Sequence, residues 1–459
     1  MNISFENPDK VNGLLTITVD EPDFQKDVEK TLKDYRKKAN YPGFRPGMVP
    51  MGLIKKQFGA QVRMEAINKF VGEQIYKYLQ DNKIKMLGEP LPSDKQKEPV
   101  DIEKPAPYTF VFDIAVAPEF KIELNGKNKI DYYTIKADDK LIDEQIDMFA
   151  SRGGEYVKAD SYDPSLNDMI EGDLRELDAD GNTKEGGITV EGAVMMPEYI
   201  KVEDQKKLFD GIKPGDVVTF NPRKAYPDND AELAALLKLK KEEVKDITSD
   251  FSYQVTEIRR FKKAEVDQKM FDEVFGKDEV KNLEEFRAKI AESLKPQLAI
   301  NSDFKFLQDL RKYTMEKVGQ LTFPDALLKR VMLANNKDKG EEFVEKNYEK
   351  SIEELTWHLI KEKLVEANGI KVNDDDVKNE ARETARMQFL QYGMNNVPDE
   401  YLNNYADELM KKRENVDGFV DRAVEHKIVE AVKKAVKLNE KEVTLDEFNK
   451  MMQEEQEKK

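Results

Sequence analysis

"YRKKANYPGFRPGMVPMGLIKKQFGAQVR", Tyr35 to Arg63, holds seven Lys or Arg and no acidic residue, in a chain of 459 residues with a formal net charge of −17. The rest of the chain therefore carries about −24, the −17 less this segment's +7. Outward from this segment the pattern sets the fold of the first part of the chain. Before it, Phe24, Val28, Leu32 and Tyr35 share one helical face. That helix must end near Asn40, because Pro42 disfavours a helical residue ahead of it and Gly43 follows. A second helical pattern runs from Met51 to Asp81, with a break expected near Gly59. "LLTITVD" (Leu14–Asp20) alternates as a strand does, and "YTFVFDIAVAP" (Tyr108–Pro118) reads as another. The order strand, helix, basic loop, helix, strand makes residues 1–117 an α+β unit.

Residues 118–165 read as a connector, with a short strand and a helix that turns Leu141, Ile142, Ile146 and Phe149 inward before Gly153 and Gly154. From 166 to 259 the character changes. "DMIEGDLRELDADGNTKEGG" carries an Asp-Gly turn after a strand, and "IKPGDVVTFNP" and "SDFSYQVTEIRRF" add two more strands. This predicts a small antiparallel β domain, interrupted by a helix between Asp230 and Asp246. Residues 260–459 read as nearly all helix, with Pro296 a candidate kink, a start at Pro324, an Asx-rich cap at "VNDDD" and a disordered tail at "MMQEEQEKK". The fold class expected is α+β multidomain.

Composition excludes several chemistries. There is no Cys, so disulfides, thiolate metal sites and Cys nucleophiles are out. The two His, His358 and His426, are too few for a His-based metal centre, and no metal or other cofactor is expected. No G-x-x-x-x-G-K-[ST] or G-x-G-x-x-G occurs, so ATP-driven work is not expected. "MNISFENPDK" lacks the basic and apolar regions of a signal peptide, and no run reaches the ~18 apolar residues of a membrane span. A soluble, cytoplasmic protein that binds neither membrane nor DNA is expected.

Within "PGFRPGMVP", Gly43 and Gly47 allow tight turns while Pro42, Pro46 and Pro50 stiffen the chain. A stiff loop loses little entropy on binding. Phe44 offers a stacking face and Arg45 a planar fork for phosphate or carboxylate. Lys37, Lys38, Lys55, Lys56 and Arg63 add positive charge around them. The loop therefore suits an anionic surface such as RNA phosphate, although a solvated helix–turn–helix connection has the same composition.

"YPGFRPGMVPMGLIKKQFG" resembles the signature loop of bacterial trigger factor, a family of ribosome-associated chaperones. Gly43, Phe44, Arg45, Gly47 and Pro50 match the pattern, and the domain order fits along the chain. "LTFPDALLKRVM" resembles the entry into that family's first C-terminal arm, and "EAVKKAVKLNEKEVTLDEFNKMM" its late helices. The resemblance implies docking of the loop beside the exit tunnel of the large ribosomal subunit, on protein and rRNA. Phe44 and Arg45 would anchor it, aided by Lys37, Lys38, Lys55 and Lys56. Pro46 stands where the family usually has a basic residue. It also implies nascent polypeptides as substrates and, as in some relatives, a weak homodimer when free.

By the same resemblance the β domain corresponds to an FKBP-type prolyl isomerase. Such a domain needs a dry aromatic pocket that favours the twisted X-Pro amide over the planar one, against a barrier of ~18–20 kcal/mol. Aligned on the family, Val202 takes the pocket Ile position and Gln205 falls where an aromatic floor is expected, with Tyr226 and Phe251 as candidate walls. Two readings stand: a working isomerase, or a diverged module that widens a chaperone surface. A chaperone without ATP needs scattered, flexible apolar side chains. Candidates on the helical part are Phe323, Leu327, Leu328, Met332, Leu355, Trp357, Leu359, Met387, Phe389, Leu390, Tyr392 and Met394, each of which could equally be core. "ARMQFLQYGMNN" reads as an arm tip.

Overall fold

The computed structural model describes residues 1–45, 47–96, 99–102, 104–392, 394 and 397–457. Strand β1 (Asn2–Glu6) pairs antiparallel with β2 (Asn12–Val19), Phe5 opposite Leu15 and Ile3 opposite Ile17. In β2, Leu15, Ile17 and Val19 are fully buried while their neighbours are half-exposed, the period-two pattern of a sheet with one covered face. The cover is helical. α1 (Glu21–Lys38) starts where the Asp20 N–H donates to the Asp23 carboxylate at 2.9 Å, with Pro22 in its first turn. It buries Phe24, Val28 and Leu32. α2 (Met51–Asp81) runs unbroken through Gly59, because Ile54, Val62, Ile67, Val71, Ile75 and Leu79 keep one face packed on the sheet and α1. The break expected there does not occur. A helix interior tolerates a Gly at a cost of about 1 kcal/mol when tertiary packing offsets it. β3 (Leu91–Pro92) and β4 (Tyr108–Ala115) complete a four-stranded sheet of order β1-β2-β4-β3.

β5 (Lys129–Ile135) leads into α3 (Asp139–Arg152), capped by Asp138, whose carboxylate accepts from the Leu141 N–H at 2.9 Å. Next come β6 (Glu155–Lys158), β7 (Met169–Glu176), β8 (Thr189–Met195), α4 (Glu203–Lys206), β9 (Val217–Phe220), α5 (Pro222–Ala225), α6 (Asp230–Leu237) and β10 (Phe251–Lys262). β10 is the spine of an antiparallel sheet, paired with β6, β7 and β9, while β8 lies outside β7. α6 is shorter than the sequence pattern, since Lys238 turns left-handed at φ 53° and ends it. Behind the sheet Phe209, Phe220, Tyr253 and Leu233 form a dry core. Asp168, fully buried, accepts two hydrogen bonds from Arg260 at 2.6 and 2.8 Å, which closes the sheet's end without an unpaired charge.

Helices α7 (Gln268–Phe275) and α8 (Leu283–Val318) follow, the latter continuing through Pro296. Then come α9 (Asp325–Asn335), α10 (Gly340–Asn368), α11 (Asp374–Gln391), α12 (Asp399–Met410) and α13 (Arg413–Ala435). Asn373 and Asp376 make the capping box that starts α11, with bonds of 3.0 and 2.8 Å. The last segments depart from the all-helical expectation. Lys437–Val443 is a strand, β11, paired with β5, and "LDEFNKMMQEEQE" is a helix, α14 (Leu445–Glu457), not a disordered tail. α14 is held because Phe448 is buried against Ile135, Leu141 and Leu298. Lys458 and Lys459 lie outside the described residues.

The chain divides into two compact units. One is Met1–Tyr132 with Asp303–Lys441, the other Tyr133–Ser302 with Glu442–Lys459. In the first, Phe306, Leu310, Ile360, Leu364, Ile428 and Val432 build the helical core. Phe323, Leu327, Leu328 and Leu359 pack on Leu87, Ala115 and Ala117 of the N-terminal part. The second contains the β sheet and a smaller core of Ile142, Ile146, Phe271 and Phe286.

Candidate functional site

Between α1 and α2 the basic loop is two successive turns. The Phe44 N–H donates to the Tyr41 carbonyl at 3.0 Å, with Gly43 at φ 85°, and the Met48 N–H to the Arg45 carbonyl at 2.9 Å, with Gly47 at φ 83°. Both glycines occupy backbone that a side chain would strain. Val49, fully buried, pins the loop's exit. The Phe44 ring meets Tyr41 edge-on with centroids 6.3 Å apart and is 39% exposed, and Arg45 is exposed. Pro46 lies outside the described residues. Lys38, Lys55 and Lys56 are exposed, while Lys37 lies 2.9 Å from Asp34 and holds that carboxyl below the usual range.

Arg63 is not part of this tip. It turns inward, pairing with Glu21 at 2.5 Å, donating to the Tyr108 hydroxyl at 2.7 Å and stacking over Phe24. A charge count alone could not separate it from the others. Met48, 68% exposed, is a loop residue that sequence reasoning passed over. Its position between Gly47 and the buried Val49 was the available signal. The tip thus presents a ring, a flexible thioether and a guanidinium on constrained backbone, suited to a surface both apolar and anionic. A cavity of about 430 Å³ lies between α1 and α2, lined by residues of the two helices such as Glu29, Leu32, Lys55 and Arg63 and by Ile102, not by the loop.

In the β unit the segments that carry the four pocket candidates are neighbours: the Lys201 N–H donates to the Ala225 carbonyl, and Phe251 pairs with Phe220, next to Asn221. Tyr226 and Phe251 sit in the core, and burial pushes the Tyr226 hydroxyl well above the usual phenol range. Val202 precedes α4 and is half-buried. Gln205 is engaged: its side-chain oxygen accepts from the Asn221 N–H at 2.7 Å. Asn221 in turn donates to the Thr248 carbonyl and the Asp250 carboxylate. An amide tied to a loop fills the place of an aromatic floor. The aromatic that alignment missed is Phe209, one helical turn later, fully buried and edge-on to Phe220 at 5.2 Å. Its place in "KKLFDGI", between charges and a Gly, was the clue.

The helical candidates divide by burial. Phe323, Leu327, Leu328, Trp357 and Leu359 are core, and Leu355 packs half-buried with them. The Arg311 guanidinium and the Lys361 ammonium lie 6.0 and 5.9 Å from the centre of the Trp357 ring. Met332 and Phe389 are half-buried. Met387, Leu390, Tyr392 and Met394 are exposed, Tyr392 to 80%. Tyr401 and Tyr405, one turn apart on α12, extend this patch, with the Tyr405 ring 5.4 Å from Phe389 and its hydroxyl bonded to Gln388. They were missed because "YLNNYADELM" reads as an ordinary amphipathic helix, Leu402 and Ala406 facing in. Gly393, expected to end this arm, lies outside the described residues. Among the described residues no group of three or more His, Asp or Glu is placed to hold a metal ion, and no helix is long and apolar enough to cross a membrane.

Three family profiles match the chain: "Bacterial trigger factor protein (TF)" over residues 1–149, "Probable trigger factor, FKBP-like domain" over 156–263 and "Probable trigger factor, C-terminal domain" over 302–452. Curated relatives include the trigger factor of Pelagibacter ubique, 22% identical over 99% of this chain and 90% of that one. The trigger factor of Chloroherpeton thalassium is 24% identical over 95% and 97%. A solved structure concerned with promiscuous substrate recognition in folding and assembly activities of the trigger factor chaperone superposes with a TM-score of 0.51 at 15% identity. It covers 94% of this chain and 99% of that one, a likeness of fold.

Proposed function

We propose a mechanism from the premise that this chain belongs to the trigger factor family, and is thus a chaperone of the trigger factor type. Its partners are the ribosome and nascent chains. The loop of Tyr41–Val49 docks on the large subunit at the exit tunnel, touching protein through Phe44 and Met48 and rRNA phosphate through Arg45, Lys38, Lys55 and Lys56. The observation that carries this is the loop itself: two glycine-dependent turns and a buried Val49 hold Phe44 and Arg45 out of the core. Such preorganisation lowers the entropy lost on docking.

Chains emerging nearby meet the exposed Met387, Leu390, Tyr392, Met394, Tyr401 and Tyr405, a patch whose flexible and amphipathic side chains adapt to many sequences. In domain terms, residues 1–117 bind the ribosome, 118–165 link, 166–259 form the FKBP-like module and 260–459 hold clients. The module adds surface rather than catalysis, because Gln205 is bonded to Asn221 and Tyr226 and Phe251 are spent on the core. It acts in the cytoplasm, without ATP, and the free protein forms at most a weak dimer.

Co-sedimentation with vacant ribosomes over a salt series tests this reading. Wild type is expected to pellet in a salt-sensitive way and Phe44→Ala/Arg45→Ala to lose at least tenfold in affinity. Equal pelleting of the two would remove the loop from the mechanism. A proline-dependent peptide assay is expected to give turnover near background.

A further inference from the structure

Lys26, Lys30, Lys33 and Lys37 recur on α1 at i, i+4, i+7 and i+11. At about 100° per residue they fall in one narrow stripe, diametrically opposite the buried Phe24, Val28 and Leu32. All four are exposed and border one shallow depression with Glu29 and Asp34. Lys37 is paired with Asp34, whereas Lys26, Lys30 and Lys33 have no ion-pair partner among the described residues.

Like charges three and four residues apart oppose a helix. Acidic neighbours at helical spacing, Asp27 and Glu29 before Lys30 and Lys33 and Asp34 after Lys30, offset repulsion within this stripe, so helix stability permits it without requiring it. Lys26 lies past the first turn, where the helix dipole is felt, so the dipole gives no reason for it. The basic residues of the last turn, Arg36, Lys37 and Lys38, do suit that dipole; Lys26, Lys30 and Lys33 do not share the reason. Nor does general solubility account for it. Residues 1–117 hold 18 Lys or Arg and 17 Asp or Glu, against 57 and 75 in the rest, so an otherwise acidic chain keeps its one neutral part around this helix.

We propose that the α1 lysine stripe is a second contact for nucleic-acid phosphate, continuous with the loop and read without base specificity. The proposal rests on the docking reading given above and extends it from a tip to a face. Lys37 leads directly into the loop, so the two positive surfaces join. The stripe spans eleven residues, about 16 Å of helix. At about 3.4 Å of rise per phosphate on one strand, that matches about five phosphates. Its donors are ammonium point charges without an amide or aromatic among them, so the chemistry fits a phosphate backbone rather than base edges.

The test uses the full-length protein with vacant ribosomes, comparing wild type, Lys26→Ala/Lys30→Ala/Lys33→Ala and Phe44→Ala/Arg45→Ala. Ala at exposed helical positions keeps the helix, and a Lys-to-Arg triple variant serves as the charge-preserving control. The expected result is a slope of log affinity against log salt flatter by about 2–3 in the Ala triple variant, with a wild-type slope in the Arg variant. A wild-type slope in the Ala variant, with docking lost in the loop variant, overturns the stripe and leaves the docking reading standing. Unchanged docking of the loop variant overturns both. A wild-type slope with weaker capture of an acidic unfolded polypeptide would assign the stripe to clients instead.

Discussion

Gln205 and Trp357 illustrate what single residues can and cannot disclose. Gln205 stands out by alignment on the family and Trp357 by helical spacing, and each is tied by its surroundings: Gln205 to the Asn221 N–H, Trp357 to the core with two cations near its ring. Helical spacing does not distinguish an inward from an outward apolar face when a helix packs on two sides. That is why Leu327 and Tyr392 looked alike in the sequence. The difference has a measurable consequence. Trp357→Ala is expected to lower unfolding stability by about 3–5 kcal/mol, by lost burial and the cavity left behind. Tyr392→Ser with Met387→Ser is expected to change it by less than about 0.5 kcal/mol while weakening suppression of client aggregation. Chemical denaturation beside an aggregation assay reads both. Loss of stability in the second variant would return those residues to the core.

Among the elements, those with strong local signals were legible: the alternation of β2, the apolar stripe of α1 and the Asx cap of α11. β11 was not, since "KLNEKEV" is polar and mostly exposed and becomes a strand only by pairing with β5. Nor was the contact that joins α11 to α13, where His426 Nδ1 lies 2.6 Å from the carboxylate of Glu380. Arg422 approaches the same carboxylate, and Glu425 and Asp303 add negative charge near the ring.

The Glu380 hydrogen bond raises the His426 pKa above its ordinary value of 6.5, against the opposing effect of burial. Its stabilising contribution is therefore complete below about pH 6.5 and is lost as pH rises through the folded-state value. Despite that partial burial the side chain is 63% exposed and screened by water, so the size is at most about 1 kcal/mol. Amide exchange in α11, corrected for its intrinsic pH dependence, is expected to be faster at pH 8 than at pH 6. Glu380→Gln should abolish the difference and bring the His426 ring titration down toward 6.5. An unchanged titration in that variant would show that Glu380 does not set it.

At the scale of the whole molecule, each compact unit joins segments far apart in the chain, Met1–Tyr132 with Asp303–Lys441 and Tyr133–Ser302 with Glu442–Lys459. Local periodicity carries no record of which distant segments share a core. Phe448 shows this: it lies in a stretch that reads as a charged tail, yet its ring completes a cluster with Ile135, Leu141 and Leu298. Phe448→Ala is expected to cost about 3–5 kcal/mol and to open residues 133–152 to limited proteolysis. The sheet core around Phe209 and Tyr253 should stay protected, since the two clusters share no residue. Cleavage inside β7 or β10 in the variant would show instead that the unit melts as one.

The pairing of β5 with β11 also imposes a schedule. Asp131 meets Asn439 across 308 residues of chain. Translation at about 5–20 residues per second would separate the two strands by about 15–60 s. Through that interval β5 has an unpaired edge, the kind of exposed template that invites wrong partners. A chain of the trigger factor type therefore passes, during its own synthesis, through a stage in which one of its strands lacks a partner, and this two-stranded sheet is completed only when its last strand has left the ribosome.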